Sequence, residues 1–290
     1  MIRSGYLLYG LLVINNLNLL ENMKSILVSF IVLASACCCK AQELTSKLLH
    51  VGDVSIEWLK DKPGEAMRAK SVFADAPDSI LTSLGLQKGI PSSVSCFLMS
   101  VNGQEILFDT GLGGGTSLLT ETLAKQGKKP EEIKLIYITH LHGDHIGGML
   151  KNGKAVFPNA EIYLNEMEYV AWMGMPKEKN EKQRKVLDLY RGRLHLFHVG
   201  DTLPAGIVPI EAYGHTPGHT VFQKGGVLVI GDLMHGAELQ MKHPEYCASY
   251  DMDKKKAIES RKRILDYAKK NGLVMAGMHL PAPGFIDLRE

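Results

Sequence analysis

The feature that most constrains this 290-residue chain is a strand that leads directly into a cluster of metal-binding side chains. The apolar and β-branched segment Leu135 to Thr139 predicts a buried strand, and the next six residues read H-L-H-G-D-H. Three imidazoles and a carboxylate make a donor set that suits zinc. In an extended segment His140 and His142 project to the same side, so they can bind one metal ion. Asp144 and His145 follow the bend and can reach a second ion.

Short apolar segments alternate with helical segments after about residue 48. Strands are predicted at Val54 to Trp58, Ser93 to Val101, Glu105 to Phe108, Glu161 to Leu164, Ile207 to Ala212, Thr220 to Gln223, Val227 to Ile230 and Val274 to Ala276. Helices are predicted at Thr116 to Lys125, Glu166 to Met173, Glu178 to Tyr190 and Asp253 to Lys270. Because Asn102-Gly103 also predicts a hairpin, the pattern favours an α/β or α+β sandwich over a regular parallel sheet.

Four further motifs accompany the H-x-H-x-D-H run. They are Asp109-Thr110-Gly111 upstream, and Gly214-His215-Thr216-Pro217-Gly218-His219, Gly231-Asp232 and Gly277-Met278-His279 downstream. In this order the five motifs resemble the metallo-β-lactamase superfamily, and the resemblance covers about residues 50–290. It implies a four-layer αββα sandwich of the metallo-β-lactamase type.

The resemblance also implies a role for each motif residue. The implied metal ligands are His140, His142 and His215 for a first ion, Asp144, His145 and His279 for a second ion, and Asp232 as the bridge between them. Asp109 and His219 are expected to orient these ligands from behind. The expected cofactors are two divalent metal ions, with Zn²⁺ first, although manganese, iron and cobalt accept similar donors.

The implied reaction is hydrolysis, in which a hydroxide shared by the two metals attacks a lactone or other ester carbonyl. Asp144 and Asp232 are the expected catalytic residues, with Asp144 the better carboxylate for handling the proton. The segment between Asp144 and His279 is similar to the branch that holds methyl parathion hydrolases and quorum-quenching lactonases, so phosphotriesters are a further expected substrate class. Lactonases of this branch often have a tyrosine three residues after the bridging aspartate, where this chain has His235.

Other functions remain open at this point. The same fold also supports hydrolysis of thioesters, phosphodiesters or β-lactams, and a di-iron redox protein or a metal-free binding module are further alternatives. The net charge of +2 without a basic stripe argues against nucleic acid as a partner, so a small-molecule substrate is expected. A homodimer is common in this branch. The predicted pocket walls are Trp172, Met173, Met175, Met234 and His235.

Residues 1–42 are predicted to be an upstream segment and a signal peptide, ahead of a hydrolase domain at 43–290. The apolar run Ile26 to Ala36 follows Met23-Lys24 and ends in an A-x-A cleavage pattern. Leu33 to Cys37 resembles a loose lipobox, which would place a lipid on Cys37. The protein is therefore expected to be exported, either periplasmic or secreted, with a lipid anchor or a membrane anchor as alternatives.

Overall fold

Two β-sheets whose strands alternate apolar side chains between their faces form the centre of the protein. The computed structural model describes residues 43–64 and 66–289. In this part of the chain the strands are β1 (Ser46–Val51), β2 (Val54–Lys60), β3 (Ala66–Arg68), β4 (Ile90–Ser92), β5 (Ser95–Val101), β6 (Gln104–Phe108), β7 (Leu135–Ile138), β8 (Leu150–Lys151), β9 (Lys154–Ala155), β10 (Glu161–Asn165), β11 (Leu194–Phe197), β12 (Val208–Glu211), β13 (Thr220–Lys224), β14 (Val227–Gly231), β15 (Val274–Gly277) and β16 (Phe285–Asp287). The α-helices of the same residues are α1 (Asp78–Ser83), α2 (Leu119–Lys125), α3 (Gly143–Ile146), α4 (Glu166–Met173), α5 (Lys177–Leu189), α6 (Ala237–Gln240) and α7 (Lys254–Lys270).

The larger sheet has seven strands in the order β1-β2-β5-β6-β7-β10-β11. Its strands are antiparallel from β1 to β6 and parallel from β6 to β11. The second sheet has five strands in the order β12-β13-β14-β15-β16, and its only parallel pair among the described strands is β14 with β15. Because β7, β14 and β15 each lead into a predicted metal ligand, both sheets contribute to the site.

The alternation of side chains along the strands produces four layers. In β5, Cys96 and Leu98 belong to the core shared with the helices, whereas Phe97 and Met99 belong to the core between the two sheets. Helices α2, α4 and α5 cover the outer face of the seven-stranded sheet. Helix α7 covers the five-stranded sheet through a third apolar cluster that includes Ile264. The predicted αββα sandwich is therefore confirmed.

Most predicted elements form close to their predicted bounds, and α7 begins one residue after its predicted start. Its cap, Asp253, accepts a hydrogen bond from the backbone N–H of Lys256. Three boundaries were wrong by two or more residues, and one of them is the end of β2, which runs to Lys60 rather than to Trp58. The strand expected from Ser93 begins at Ser95, because the backbone carbonyl of Ser93 accepts a hydrogen bond from His279 Nδ1 rather than from a neighbouring strand. The helix expected from residue 116 begins at Leu119, because a 3-10 turn comes first.

No helix within residues 43–64 and 66–289 is long and apolar enough to cross a membrane. The expected signal peptide, the lipid site at Cys37 and the upstream segment 1–42 lie outside the described residues. The domain boundary at residue 43 and the exported location therefore stay predictions.

Candidate metal centre

The seven predicted ligands meet at one edge of the sandwich, where strands of both sheets end. His140 follows β7 of the larger sheet, and His142 precedes the short helix α3. Asp232 follows β14 and His279 follows β15, two parallel strands of the smaller sheet. Since parallel strands present their carboxyl ends at the same edge, residues far apart in the sequence come together here.

The first cluster contains three imidazoles. His140 Nε2 lies 3.0 Å from His142 Nδ1, and His142 Nδ1 lies 2.9 Å from His215 Nε2. The third side of the triangle, from His215 Nε2 to His140 Nε2, is 3.2 Å. Nitrogens at about 2.0 Å from a tetrahedral zinc ion are about 3.3 Å apart, so this triangle has the size of one tetrahedral face.

The second cluster mixes carboxylate and imidazole. Asp144 Oδ2 lies 3.3 Å from His279 Nε2, and Asp144 Oδ1 lies 3.9 Å from His145 Nε2. These three side chains can direct one ligand atom each toward a common point. His145 and His279 are buried, whereas the side chain of Asp144 is 31% exposed.

Asp232 connects the two clusters. Its Oδ2 lies 3.3 Å from His215 Nε2 in the first cluster and 3.3 Å from His279 Nε2 in the second. Its Oδ1 lies 3.1 Å from His145 Nε2. One buried carboxylate thus reaches both clusters, as a bridging ligand must.

Hydrogen bonds behind the ligands fix the direction of each imidazole. His145 donates from Nδ1 to Asp109 Oδ2 at 2.7 Å, and His279 donates from Nδ1 to the Ser93 carbonyl at 2.8 Å. Both Nε2 atoms then point their lone pairs into the centre. Among the described residues, His145 Nε2 and Asp232 Oδ1 are buried atoms without a hydrogen-bond partner. Buried lone pairs of this kind fit a bound cation.

Comparison with known proteins agrees with this geometry. The family model of the metallo-beta-lactamase superfamily matches residues 89–279. This chain belongs to the metallo-beta-lactamase superfamily. Among solved structures, the superfamily hydrolase AbOPH has a TM-score of 0.76 at 32% identity, over 85% of this chain and 94% of AbOPH. AidC, a dizinc quorum-quenching lactonase solved with a product, has a TM-score of 0.76 at 25% identity, over 83% of this chain and 92% of AidC.

Curated relatives match more locally. The exodeoxyribonuclease WalJ of Streptococcus pneumoniae is 32% identical over 123 residues, which are 42% of this chain and 41% of WalJ. The N-acyl homoserine lactonase of Bacillus thuringiensis is 26% identical over 220 residues, which are 66% of this chain and 83% of the lactonase. The chain therefore spans about two fifths of the first relative and most of the second. Superfamily membership establishes the fold of the chain, whereas neither the reaction nor the substrate follows from the fold alone.

Asp109 and His219 lie behind the ligands of this superfamily site, where the sequence placed them. Asp109 accepts hydrogen bonds from the backbone N–H and hydroxyl of Thr139, at 2.8 and 2.7 Å, in addition to the bond from His145. His219 Nε2 accepts from the backbone N–H of Asp232 at 2.9 Å. Asp109 therefore positions the imidazole of His145, and His219 positions the backbone of Asp232.

Two positioning residues have no sequence motif. Asp251 accepts a hydrogen bond from His215 Nδ1 at 2.8 Å, and it lies 3.3 Å from the guanidinium of Arg261. Glu168 is fully buried and accepts from the backbone N–H groups of Leu141 at 2.9 Å and Gly218 at 2.8 Å. Glu168 therefore ties the loop of His140 and His142 to the loop of His215. The only sign of Glu168 in the sequence was an acidic residue within the predicted helix Glu166 to Met173.

The charges of the site suit cation binding. Burial lowers the pKa of His140, and it lowers that of His142 to about 4. Both imidazoles are therefore uncharged at neutral pH, and each can offer a nitrogen lone pair to a cation. Burial opposes the ionisation of Asp232, but nearby imidazoles, His145 first, hold its pKa well below the usual range. Burial also lowers the pKa of His215, yet Asp232 and Asp251 outweigh it and raise that pKa to about 9. A metal ion bound at the first cluster would therefore have to displace a proton from His215.

A cavity of about 290 Å³ opens onto the metal centre. Its lining residues are Arg68, His142, Gly143, Asp144, Asp232, His235, Tyr250 and His279. Of the predicted pocket walls, His235 lies in this cavity, with its Nε2 3.0 Å from Asp232 Oδ2.

The other predicted pocket walls lie elsewhere. Trp172 packs in the helical core with its ring edge against the His142 imidazole, at a centroid distance of 5.6 Å. Met173 and Met175 pack on the same core, and Met234 lies between the smaller sheet and α7. These apolar side chains pack in the cores and are not among the residues that line the cavity.

Proposed function

We propose that this protein is a dinuclear metal-dependent hydrolase of lactones or other carboxylic esters, with phosphotriesters as a second substrate class. The observation that carries the proposal is the position of Asp232, whose two oxygens reach the imidazoles of both clusters. A carboxylate in this position would serve as a ligand to two cations, one at each cluster. The dizinc lactonase AidC and the hydrolase AbOPH, both similar over most of their length, support the same reaction class.

Two Zn²⁺ ions are the cofactors we propose for this site. The three imidazoles of the first cluster would hold one ion, Asp144, His145 and His279 would hold the other, and Asp232 would touch both. Nitrogen and carboxylate donors in these numbers suit zinc. Bound there, two zinc ions supply Lewis acidity and lower the pKa of water enough to make a nucleophile at neutral pH.

The solvent exposure of each side chain indicates its role in the reaction. Asp144 is 31% exposed and faces the cavity, so its carboxylate can accept a proton from water and pass it to a leaving group. Asp232 is 3% exposed and its two oxygens lie next to imidazoles of both clusters, so its contribution is to fix the distance between the clusters. His235 lies beside Asp232 in the cavity wall and faces the space that a substrate enters.

Metal analysis and a substrate panel on the same purified sample test this proposal. The panel holds lactones, aryl esters, thioesters, phosphotriesters, β-lactams and a phosphodiester, the last because of the local similarity to WalJ. We expect about two zinc ions per chain and lactone or ester turnover. Asp232→Ala should lose both, while Asp266→Ala, at an exposed position of α7, should keep both.

The panel also separates the alternatives. Turnover of only the phosphodiester would replace ester hydrolysis with a nuclease-like reaction. Full metal content without turnover of any class would overturn the hydrolase proposal and favour a redox role. Export and a homodimer are also proposed, from the sequence and the family branch, and cell fractionation and light scattering test them.

A further inference from the structure

Arg68 is a cationic side chain in the wall of the metal cavity that the superfamily motifs do not include. It is the last residue of β3, and its Nε donates to Ser92 Oγ at 3.0 Å. Its Nη1 donates to the Tyr250 hydroxyl at 2.5 Å, and its guanidinium carbon lies 5.5 Å from the centre of the Tyr250 ring. The guanidinium is therefore held in a fixed orientation at the cavity.

Both acceptors of Arg68 are neutral. Within residues 43–64 and 66–289, the arginine ion pairs involve Arg261, Arg263 and Arg289 but not Arg68. A guanidinium offers five N–H donors, and the two hydrogen bonds above use two of them. A partly buried arginine with a fixed plane and no carboxylate partner among these residues is well suited to bind an anion.

The rest of the cavity favours a polar ligand. Its eight lining residues include no aliphatic side chain. Tyr250 uses its oxygen to accept from Arg68, so its hydroxyl hydrogen is left to donate to a ligand, and its ring packs 4.9 Å from that of His235. A long acyl chain finds no apolar wall here, whereas a small polar molecule finds several donors.

Asp144 and Asp232 are the anions that face the same cavity, and the clusters already balance them. Their carboxylates lie among the imidazoles of His145 and His279. Two divalent cations at the clusters would make the local charge positive, and this charge would add to that of Arg68. Such a field attracts an anionic substrate.

We propose that Arg68 binds an acidic group on the substrate, so that the preferred substrate is a small ester or lactone that carries a carboxylate besides the bond to be cleaved. Tyr250 orients Arg68 and donates a second hydrogen bond to the same ligand. This inference rests on the proposed ester hydrolysis, because it names the substrate class of that site.

A matched pair of substrates tests the proposal. The mono-para-nitrophenyl ester of adipic acid carries a free carboxylate, and its methyl-capped analogue has the same leaving group without the charge. For the wild-type protein loaded with zinc, we expect kcat/KM to be about tenfold or more higher for the charged ester, in line with a charge-assisted hydrogen bond. Arg68→Gln should remove this preference through KM, Arg68→Lys should keep part of it, and Arg263→Gln, at an exposed arginine, should not change it.

Equal losses on both esters in Arg68→Gln would overturn the proposal and make Arg68 a structural residue. So would a wild-type protein that shows no preference for the charged ester. Calorimetric binding of adipate to the zinc-loaded protein supplies a readout that needs no turnover, and Arg68→Gln should weaken this binding about tenfold. If neither ester is cleaved, the proposed function fails, and the adipate comparison alone still decides whether Arg68 binds anions.

Discussion

The two clusters of the metal centre differ in composition and in the kind of side chain that each presents to the cavity. The first consists of three imidazoles whose ligand nitrogens lie 2.9 to 3.2 Å apart. The second contains Asp144, which is 31% exposed, and its carboxylate lies 3.3 and 3.9 Å from the nearest imidazole nitrogens. Both clusters reach the cavity, the first through the neutral imidazole of His142 and the second through the carboxylate of Asp144. The difference predicts that substitutions near the first cluster change metal affinity, whereas substitution of Asp144 changes both the affinity for the second ion and the chemical step.

The largest expected effect is that of Asp144→Asn. This change removes both the carboxylate that we propose handles the proton and a proposed ligand of the second ion. It should lower kcat by at least about 100- to 10,000-fold, the usual range for general acid–base catalysis, and should weaken binding of the second ion. Metal content and steady-state kinetics of the same preparation measure it, with Asp266→Asn as the exposed control. A variant that loses only the first metal ion would reverse the assignment of the two clusters.

Removal of the metals should have the next largest effect, on stability. Ions that bind only the folded chain stabilise it by about 3–4 kcal/mol when they are present at 100 to 1,000 times their dissociation constant. Chelation should therefore lower the denaturant midpoint, and added zinc should restore it. An unchanged midpoint after verified removal would mean that the ions do not bind the folded chain more tightly than the unfolded chain.

A smaller effect is expected from Asp251→Asn, which weakens the support of His215. Its hydrogen bond to His215 Nδ1 is 2.8 Å long. Loss of such a partner commonly lowers metal affinity about 10- to 100-fold, and the loss should fall on the first ion alone. Competition with a coloured chelator measures the two affinities separately. Equal weakening of both ions would show that the clusters do not behave as two distinct sites.

The smallest effect should come from Trp172→Phe. This change keeps an aromatic ring near His142 but removes the 2.7 Å hydrogen bond from Trp172 Nε1 to Glu168. Glu168 keeps its two backbone donors, so the free energy of unfolding should fall by about 1 kcal/mol. Urea unfolding measures this change, and kcat should stay within a factor of about two. A large loss of metal would mean that Glu168 holds the two metal-binding loops together only when the indole hydrogen bond is present.

The sequence could propose the candidate ligands that the structure brings together, because each is part of a short motif that follows an apolar strand. His140, His142, Asp144 and His145 need only local spacing to be recognised. Asp251 and Arg68 could not be found in this way, because their roles depend on contacts with residues far away in the chain.

The same distinction holds for the fold. Strands rich in β-branched residues, such as β7 and β14, were predicted near their observed bounds. The short elements β3, α1 and β4 were not, because three- to six-residue segments carry little periodicity. Since β3 supplies Arg68, the least predictable part of the fold also shapes the cavity.

The supply of ligands from two different sheets has a consequence for how the chain folds. His140 and His142 can meet as soon as their loop forms, but Asp232 and His279 arrive only when the smaller sheet has docked on the larger one. Such distant contacts form late, since closing long loops costs entropy before any contact repays it. We therefore expect a molecule to bind both ions only when the two sheets have docked in the correct alignment.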